Sequence, residues 1–264
     1  MSAQPSPSDL LALALVVAAE AGRLLVDERP ASLRSASKSS PTDVVTEMDH
    51  ASEALLVSAI LAARPHDGIL GEEGGERAGT SGVRWVLDPI DGTTNYLYGL
   101  PAWAVSVGVE IDGEVVAGVV EAPALQRRYS AAVGAGAWED YAERRRRLRT
   151  TDCRDLGQAL VSTGFGYAAE RRAEQAEELR LLAPRVRDIR RMGAASLDLA
   201  WVGAGYADAY FETGLHAWDV AAGGLIAREA GARVVTIPGS SSAGDLTVAS
   251  TPGIADALLG VILR

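Results

Sequence analysis

The chain has 264 residues, 48% of them hydrophobic and 23% charged, and its 25 basic and 35 acidic residues give a formal net charge of −10. This composition excludes wholesale disorder, and the acidity argues against generic nucleic-acid binding. The length suffices for a large core without disulfides, and the single cysteine, Cys153, favours a reducing, cytoplasmic compartment.

The N-terminal half predicts helices followed by strands. Its first apolar run, residues 10–19, is about half the ~20 residues that a membrane span needs, and no basic residue precedes Arg23. We therefore expect no membrane segment and no signal peptide. The predicted elements, in chain order, are a tail (1–7), a helix (9–26), a loop (30–42), a helix (46–63), strands (69–71 and 84–87), and a hairpin of strands 103–111 and 115–121 joined by Asp112-Gly113. Asp88-Pro89 should end the strand at Leu87.

The second half continues this alternation. Its predicted strands are residues 160–163, 187–191, 207–211 and 246–250, and its predicted helices are 168–183, 194–204, 218–231 and 252–263. Strands that alternate with helices indicate a layered α/β fold. The most irregular stretch, residues 134–157, is the candidate seam between an N-terminal half (about 8–140) and a C-terminal half (about 150–264).

Acidic residues cluster in four short segments at the ends of predicted elements. These segments are residues 43–49, 71–74, 88–95 and 218–219. Several lie beside apolar residues, and carboxylates are costly to bury unless they are paired or bound to a metal. Carboxylates brought together repel one another and raise one another's pKa unless a cation neutralises them. Oxygen ligands of this kind predict a hard divalent metal, Mg²⁺ first.

The segment after residue 87 combines a metal signal with a phosphate signal. Asp88 and Asp91 are separated by Pro-Ile, a turn that can point both carboxylates the same way. Residues 92–95 indicate a helix start, where backbone N–H groups and the helix dipole favour a phosphate. A metal beside an anion site predicts metal-assisted phosphoryl transfer to water.

Two long motifs carry a resemblance to a known family. Residues 85–95 (WVLDPIDGTTN) and 218–231 (WDVAAGGLIAREAG) resemble the signatures of inositol monophosphatases, and residues 38–43 and 71–73 precede them in the family's order. The likeness runs from about residue 10 to the C-terminus and is greatest to bacterial enzymes of the inositol-1-monophosphatase type.

The resemblance implies a layered αβαβα sandwich of the inositol monophosphatase and fructose-1,6-bisphosphatase type. It implies that the whole chain, residues 1–264, is a single catalytic unit that forms a homodimer. The activity implied is hydrolysis of inositol 1-phosphate to inositol and phosphate, dependent on two to three Mg²⁺ ions per active site and sensitive to Li⁺.

The resemblance also implies metal ligands. Glu72, Asp88 and the Ile90 carbonyl would bind the first metal, and Asp88, Asp91 and Asp219 the second. Glu72 would also help to bind a third, weaker ion and so counts among the catalytic residues. Asp91 and Asp219 would border the substrate as well.

The remaining implied roles concern water and substrate. Thr93 and Asp49 would orient the attacking water, since a threonine hydroxyl can accept a water proton only if another group takes its own. The Gly92 and Thr93 backbone N–H groups would hold the phosphate. Glu212 would contact the inositol hydroxyls, and Ala195 would offer a backbone contact to the same ring.

Lys38 is the one lysine in a chain with 24 arginines. A compact ammonium retained in this background favours a role near the metal site, with Glu73 as a second accessory residue. The alternative is chance retention on a loop.

Other functions remain open at this stage. A related phosphatase of the same superfamily would act on histidinol phosphate, fructose 1,6-bisphosphate or a 3′-phosphonucleotide. A different class of function is a regulatory protein that contacts RNA or protein through an arginine patch formed by residues 144–147 and Arg149. The alternative without a binding function is that this patch is a solvated basic loop.

Overall fold

The computed structural model describes residues 4–38, 42–241 and 244–263, and within them the chain forms seven α-helices and fifteen strands. The helices are α1 (Pro7–Asp27), α2 (Glu47–Ala63), α3 (Thr93–Tyr98), α4 (Ala169–Leu182), α5 (Ala195–Ala204), α6 (Ala217–Glu229) and α7 (Ala255–Ile262). Residues 1–3 of the predicted tail and residues 39–41 of the motif at 38–43 lie outside the described residues.

The strands fall into two groups along the chain. The first group is β1 (Ser35–Ser37), β2 (Val44–Thr46), β3 (Gly68–Gly71), β4 (Gly75–Arg77), β5 (Val83–Asp91), β6 (Ala104–Ile111), β7 (Glu114–Ala122), β8 (Arg127–Ala132), β9 (Gly136–Tyr141) and β10 (Arg144–Arg147). The second group is β11 (Leu160–Thr163), β12 (Asp188–Arg190), β13 (Ala209–Thr213), β14 (Arg233–Ser241) and β15 (Gly244–Ser250).

The larger sheet has eight strands in the order β10-β9-β8-β7-β6-β5-β3-β4, and only β3 and β5 run parallel in it. Helices α1 and α2 cover one face, and α6 covers the other. Because both faces are covered, the central strands are buried along nearly their whole length, which explains their continuous apolar runs. Strands β1 and β2 pair separately.

The smaller sheet has the order β12-β11-β13-β15-β14. Helices α5 and α6 pack between the two sheets, and α4 and α7 pack on the outer face, where Leu182 and Leu258 join the core of the sheet. The layers therefore follow the order helix, sheet, helix, sheet, helix. This arrangement confirms the predicted αβαβα sandwich.

Helix α6 lies unusually close to its neighbours because small residues face it. A Cβ atom on Gly108 would lie 2.6 Å from the Cβ of Ala221, and one on Gly223 would lie 2.5 Å from the Ser196 carbonyl oxygen. Neither neighbour is a flexible side-chain end, so larger residues would push the layers apart. This close packing brings the N-terminus of α6, which carries Asp219, to the end of β5.

The predicted end of β5 is wrong. The strand continues from Leu87 through Asp91, and its pairing with β6 shifts register between Asp88 and Asp91. Pro89 lies inside this bulge, so its missing N–H falls where the ladder is already interrupted.

The predicted irregularity of residues 134–157 is also wrong in its first part, where β9 and β10 form a hairpin at the edge of the larger sheet. The predicted 103–121 hairpin is confirmed, with positive φ at Asp112 (51°) and Gly113 (87°). The loop predicted at 30–42 contains the short strand β1. No helix in the described ranges is long and apolar enough to cross a membrane.

Candidate active site

Two carboxylates at the end of β5 meet a third from a distant part of the chain. Oxygen atoms of Asp88, Asp91 and Asp219 all lie within 4.8 Å of one another. Burial and the neighbouring acidic groups raise the pKa of Asp88 and Asp219 well above their usual range, and burial raises the pKa of Asp91 to about 6. These hard oxygen donors repel one another without a cation, so they fit a divalent metal such as Mg²⁺.

Local backbone geometry sets the direction of each carboxylate. The bulge in β5 is closed by the Ile90 N–H, which donates to Asp88 Oδ1 at 3.0 Å. At the start of α6, the His216 N–H donates to Asp219 Oδ2 at 2.7 Å, so Asp219 closes the first turn of the helix. Both acidic residues are therefore oriented by their own chain segments before any metal binds.

Asp91 also joins the two halves of the chain. Its Oδ1 accepts from the Ala195 N–H at 3.0 Å, and its Oδ2 accepts from the Ser196 N–H at 2.7 Å and the Ser196 Oγ at 2.5 Å. The first two residues of α5 are thus fixed to the acidic cluster. Ala195, whose backbone is predicted to contact the substrate ring, directs its N–H at Asp91. Sequence reasoning missed Ser196 altogether.

Glu72 lies in the loop between β3 and β4, and a buried glutamate holds this loop. Glu53 of α2 accepts hydrogen bonds from the backbone N–H groups of Glu73, at 2.9 Å, and Gly74, at 2.5 Å. Lys38 Nζ lies 2.8 Å from Glu72 Oε1 and contacts Glu73 as well. The structure therefore brings both predicted accessory residues to Glu72, whereas no sequence motif indicated Glu53.

Asp49 and Thr93 form a buried pair beside the cluster. Thr93 Oγ1 lies 2.9 Å from Asp49 Oδ1 and 3.0 Å from the Ile90 carbonyl oxygen. Asp49 Oδ2 accepts from the Thr46 N–H at 2.8 Å and Oγ1 at 2.5 Å, which is the N-terminal cap of α2. Burial raises the pKa of Asp49, although these hydrogen bonds oppose the shift.

A cleft of about 570 Å³ opens over these residues. Of the predicted site residues, the following line it: Lys38, Glu72, Asp91, Gly92, Ala195, Glu212 and Asp219. Asp49, Asp88, Ile90 and Thr93 lie behind its wall and are almost fully buried. Sequence reasoning did not place Tyr167, Arg171 or Arg191 here, although the structure does.

Position 92 requires a glycine because of its backbone conformation and its close neighbours. Its φ is 91°, and a Cβ would lie 3.0 Å from the Ala102 carbonyl oxygen and 3.1 Å from that of Gly193. Only glycine fits this left-handed position at low cost. The chain can therefore turn from β5 into α3 within one residue, and the first N–H groups of α3 come next to the acidic cluster.

Glu212 lies on β13, across the cleft from β5. Burial raises its pKa to about 7. His216, which stacks on Trp218 with ring centroids 4.7 Å apart, lines the same cleft. The cleft is therefore lined both by members of the acidic cluster and by the separate carboxylate of Glu212.

The arginine patch lies elsewhere. Arg144–Arg147 form the exposed edge strand β10, and none of these four residues lines the cleft. Arg146 is paired with the buried carboxylate of Glu139, and Arg145 lies 3.8 Å from Asp140. The predicted solvated loop is therefore a strand whose charges are partly neutralised by its neighbour β9.

Comparisons with known proteins identify the class. The model of the inositol monophosphatase family matches residues 6–262. The inositol-1-monophosphatase SuhB of Mycobacterium tuberculosis H37Rv is 50% identical over 234 residues, which cover 86% of this chain and 81% of that protein. The solved structure of M. tuberculosis SuhB superposes with a TM-score of 0.85 at 45% identity, over 98% of this chain and 97% of that one.

A further relative carries a different name. The Nus factor SuhB of Pasteurella multocida is 38% identical over 260 residues, 96% of this chain and 95% of its own. The chain belongs to the inositol monophosphatase family, as the two motifs predicted, and it is a phosphatase that hydrolyses phosphate monoesters.

Proposed function

We propose that the chain hydrolyses inositol 1-phosphate to inositol and phosphate and that Mg²⁺ is its metal. The observation that carries this proposal is the acidic cluster, with carboxylate oxygens of Asp88, Asp91 and Asp219 within 4.8 Å, beside a cleft that Glu212 also lines. A phosphate beside the cluster would place a hydroxylated ring near Glu212.

The residues that would hold Mg²⁺ are Glu72, Asp88, the Ile90 carbonyl, Asp91 and Asp219. The chemistry that bound Mg²⁺ supplies is polarisation of the phosphoryl group and acidification of a water molecule. We propose two to three ions per site, as the family resemblance implies. Lys38 would hold Glu72 and Glu73 in place through its two contacts.

Asp49 and Thr93 would position the attacking water. The Thr93 hydroxyl has one hydrogen and two acceptors within 3.0 Å, Asp49 Oδ1 and the Ile90 carbonyl. Its oxygen therefore keeps a lone pair for a water O–H, while its own proton points to Asp49. Because burial raises the pKa of Asp49, this carboxylate is a better proton acceptor than an exposed aspartate.

The phosphate would be held by the backbone N–H groups of Gly92 and Thr93. Backbone donors at a helix start need no reorganisation as charge develops, so this placement favours the transition state electrostatically. Glu212 would accept hydrogen bonds from the ring hydroxyls. Ala195 would contribute its backbone to the same region, with its N–H already directed at Asp91.

The test is Mg²⁺-dependent phosphate release from four substrates: inositol 1-phosphate, histidinol phosphate, fructose 1,6-bisphosphate and a 3′-phosphonucleotide. Asp219→Asn is a cleaner metal-site control than Asp91→Asn, because Asp91 also holds α5 through Ser196. Preferred, Asp219-dependent turnover of inositol 1-phosphate supports the proposal. If another substrate is preferred, the proposed mechanism stands and the assigned substrate changes. If none of the four substrates is hydrolysed, the proposal is refuted.

A second candidate function rests on the arginine patch. Four consecutive exposed arginines on an acidic chain can attract an anionic partner, and one relative is named a Nus factor. We propose RNA as the partner to test. Salt-dependent RNA binding that is lost when Arg144, Arg145 and Arg147 become Ala supports this function, and absence of binding at low salt refutes it.

We also propose that the chain acts as a single catalytic unit, forms a homodimer in the cytoplasm and is inhibited by Li⁺, as the family resemblance implies. Sedimentation equilibrium tests the dimer. Titration of the Mg²⁺-dependent activity with Li⁺, with Na⁺ as the control cation, tests the inhibition.

A further inference from the structure

Glu212 is held from behind by a buried tyrosine. Tyr210 and Glu212 are two residues apart on β13, so their side chains lie on the same face of the strand. The Tyr210 hydroxyl donates to Glu212 Oε2 at 2.6 Å. Because burial raises the pKa of Tyr210 well above its usual range, the hydroxyl stays protonated and remains a donor.

A glycine provides the space that the Glu212 carboxylate occupies. A Cβ on Gly164, in the loop after β11, would lie only 1.7 Å from Glu212 Oε2. No other residue type at position 164 would allow the observed Glu212 position. The whole carboxylate therefore packs against Gly164, since the same Cβ would also lie 2.4 Å from Oε1. Only Oε2 accepts the Tyr210 hydrogen bond, so Oε1 keeps its acceptor sites for a ligand in the cleft.

We infer that Tyr210 and Gly164 are positioning residues that set the orientation of Glu212 toward substrate hydroxyls and so determine specificity for a polyhydroxylated ring. This inference rests on the proposed function, because it assumes that Glu212 faces the substrate. Neither residue touches the acidic cluster. Their effect should therefore appear in the binding of hydroxylated substrates and leave the phosphoryl chemistry largely unaffected.

The experiment compares Tyr210→Phe with the wild-type enzyme on two substrates. For inositol 1-phosphate we expect KM to rise about ten-fold, the value of one hydrogen bond to a charged group, with kcat within about three-fold. For phenyl phosphate, which has no ring hydroxyls, kcat/KM should change far less. The ratio of kcat/KM for inositol 1-phosphate to kcat/KM for phenyl phosphate should therefore fall.

The matched control is Tyr206→Phe. Tyr206 also donates its hydroxyl to a glutamate, Glu139 Oε1 at 2.9 Å, but it lies outside the cleft. This variant should retain both kcat/KM values. Gly164→Ala should lower the ratio at least as much as Tyr210→Phe, and Gly260→Ala, which has open space around its Cβ, should not.

A double-mutant cycle shows whether Tyr210 acts through Glu212. In a Glu212→Ala background, Tyr210→Phe should change kcat/KM by less than about two-fold. An unchanged KM in Tyr210→Phe, an equal loss on phenyl phosphate, or the same loss in the Glu212→Ala background would each overturn the inference. The cycle uses the best hydroxylated substrate of the four tested above. If inositol 1-phosphate alone is not hydrolysed, the proposed substrate is wrong. If the effects of Tyr210→Phe and Glu212→Ala on the best substrate are independent, the positioning role of Tyr210 is wrong.

Discussion

Replacing Thr93 with valine tests the proposed water-positioning pair most directly. Valine keeps the branched shape and removes only the hydroxyl, which lies 2.9 Å from Asp49 Oδ1 and 3.0 Å from the Ile90 carbonyl. The fold should survive, because Asp49 retains both hydrogen bonds from Thr46. We expect a loss of about 1–3 kcal/mol in unfolding free energy, the cost of leaving a buried acceptor unsatisfied.

The catalytic loss should be larger than the loss of stability. Positioned proton transfer contributes about 10²–10⁴-fold to rate, which corresponds to roughly 3–5 kcal/mol of transition-state stabilisation. The phosphate would be held by the backbone of Gly92 and Thr93, which valine preserves. We therefore expect kcat to fall by this factor, while KM stays within about three-fold.

Steady-state kinetics at saturating Mg²⁺, together with thermal denaturation, measures both effects. Thr93→Ser retains the hydroxyl and should recover most of kcat. Two results would refute the reasoning: a kcat for Thr93→Val within ten-fold of the wild-type value, or a loss in Thr93→Ser as large as that in Thr93→Val. A rise in KM with unchanged kcat would assign Thr93 to substrate binding.

Three further predictions concern two residues around the site and one buried carboxylate elsewhere in the fold. Lys38→Ala should weaken the affinity for Mg²⁺ or phosphate, because its ammonium contacts and would hold Glu72, and the Mg²⁺ concentration needed for half-maximal activity should rise several-fold; an unchanged Mg²⁺ titration contradicts this. Glu53→Ala should cost about 1–3 kcal/mol of unfolding free energy per backbone N–H left without its partner and should raise the Mg²⁺ concentration needed for half-maximal activity. Glu47→Ala on the exposed side of the same helix removes only a 3.4 Å bond from the Arg34 N–H, so it should cost far less and leave the Mg²⁺ titration unchanged. Burial by itself would raise the pKa of the Asp67 carboxyl. Hydrogen bonds from neighbouring groups, including the Trp85 indole N–H, outweigh burial and hold this pKa below its usual value. The ionised Asp67 therefore stabilises the folded state fully above about pH 4, and this contribution is lost as the pH falls through the lowered pKa. Asp67→Asn removes the titrating group, so Tm should fall less steeply with acid in this variant than in the wild type.

Part of the fold was predictable because the relevant signals are local. The 103–121 hairpin follows from Asp112-Gly113, whose positive φ angles suit a tight turn between apolar runs. The strand β10 was not predictable in this way, because four arginines carry no alternation of polar and apolar residues. It is a strand because β9 lies beside it and supplies hydrogen-bond partners.

The extension of β5 through Pro89 shows the same limit. Proline normally ends a ladder, and a single sequence gives no sign that the pairing with β6 is already shifted at that point. The acidic residues on either side were nevertheless identified, because ligand chemistry depends on residue type and spacing. The prediction of site residues was therefore less sensitive to the strand boundary than the prediction of the strand itself.

The sequence by itself determined the chemical character of the site: oxygen ligands in short motifs, a glycine before α3 and two family signatures, at residues 85–95 and 218–231. These features lie within contiguous segments, where backbone geometry and side-chain type are sufficient. Only the tertiary structure decided which distant groups meet. Ser196 on Asp91 and Glu53 under the Glu72 loop carry no motif, because each lies far along the chain from its partner and meets it only in the folded layers. Tyr210 is only two residues from Glu212, but their contact requires an extended strand, which places both side chains on one face.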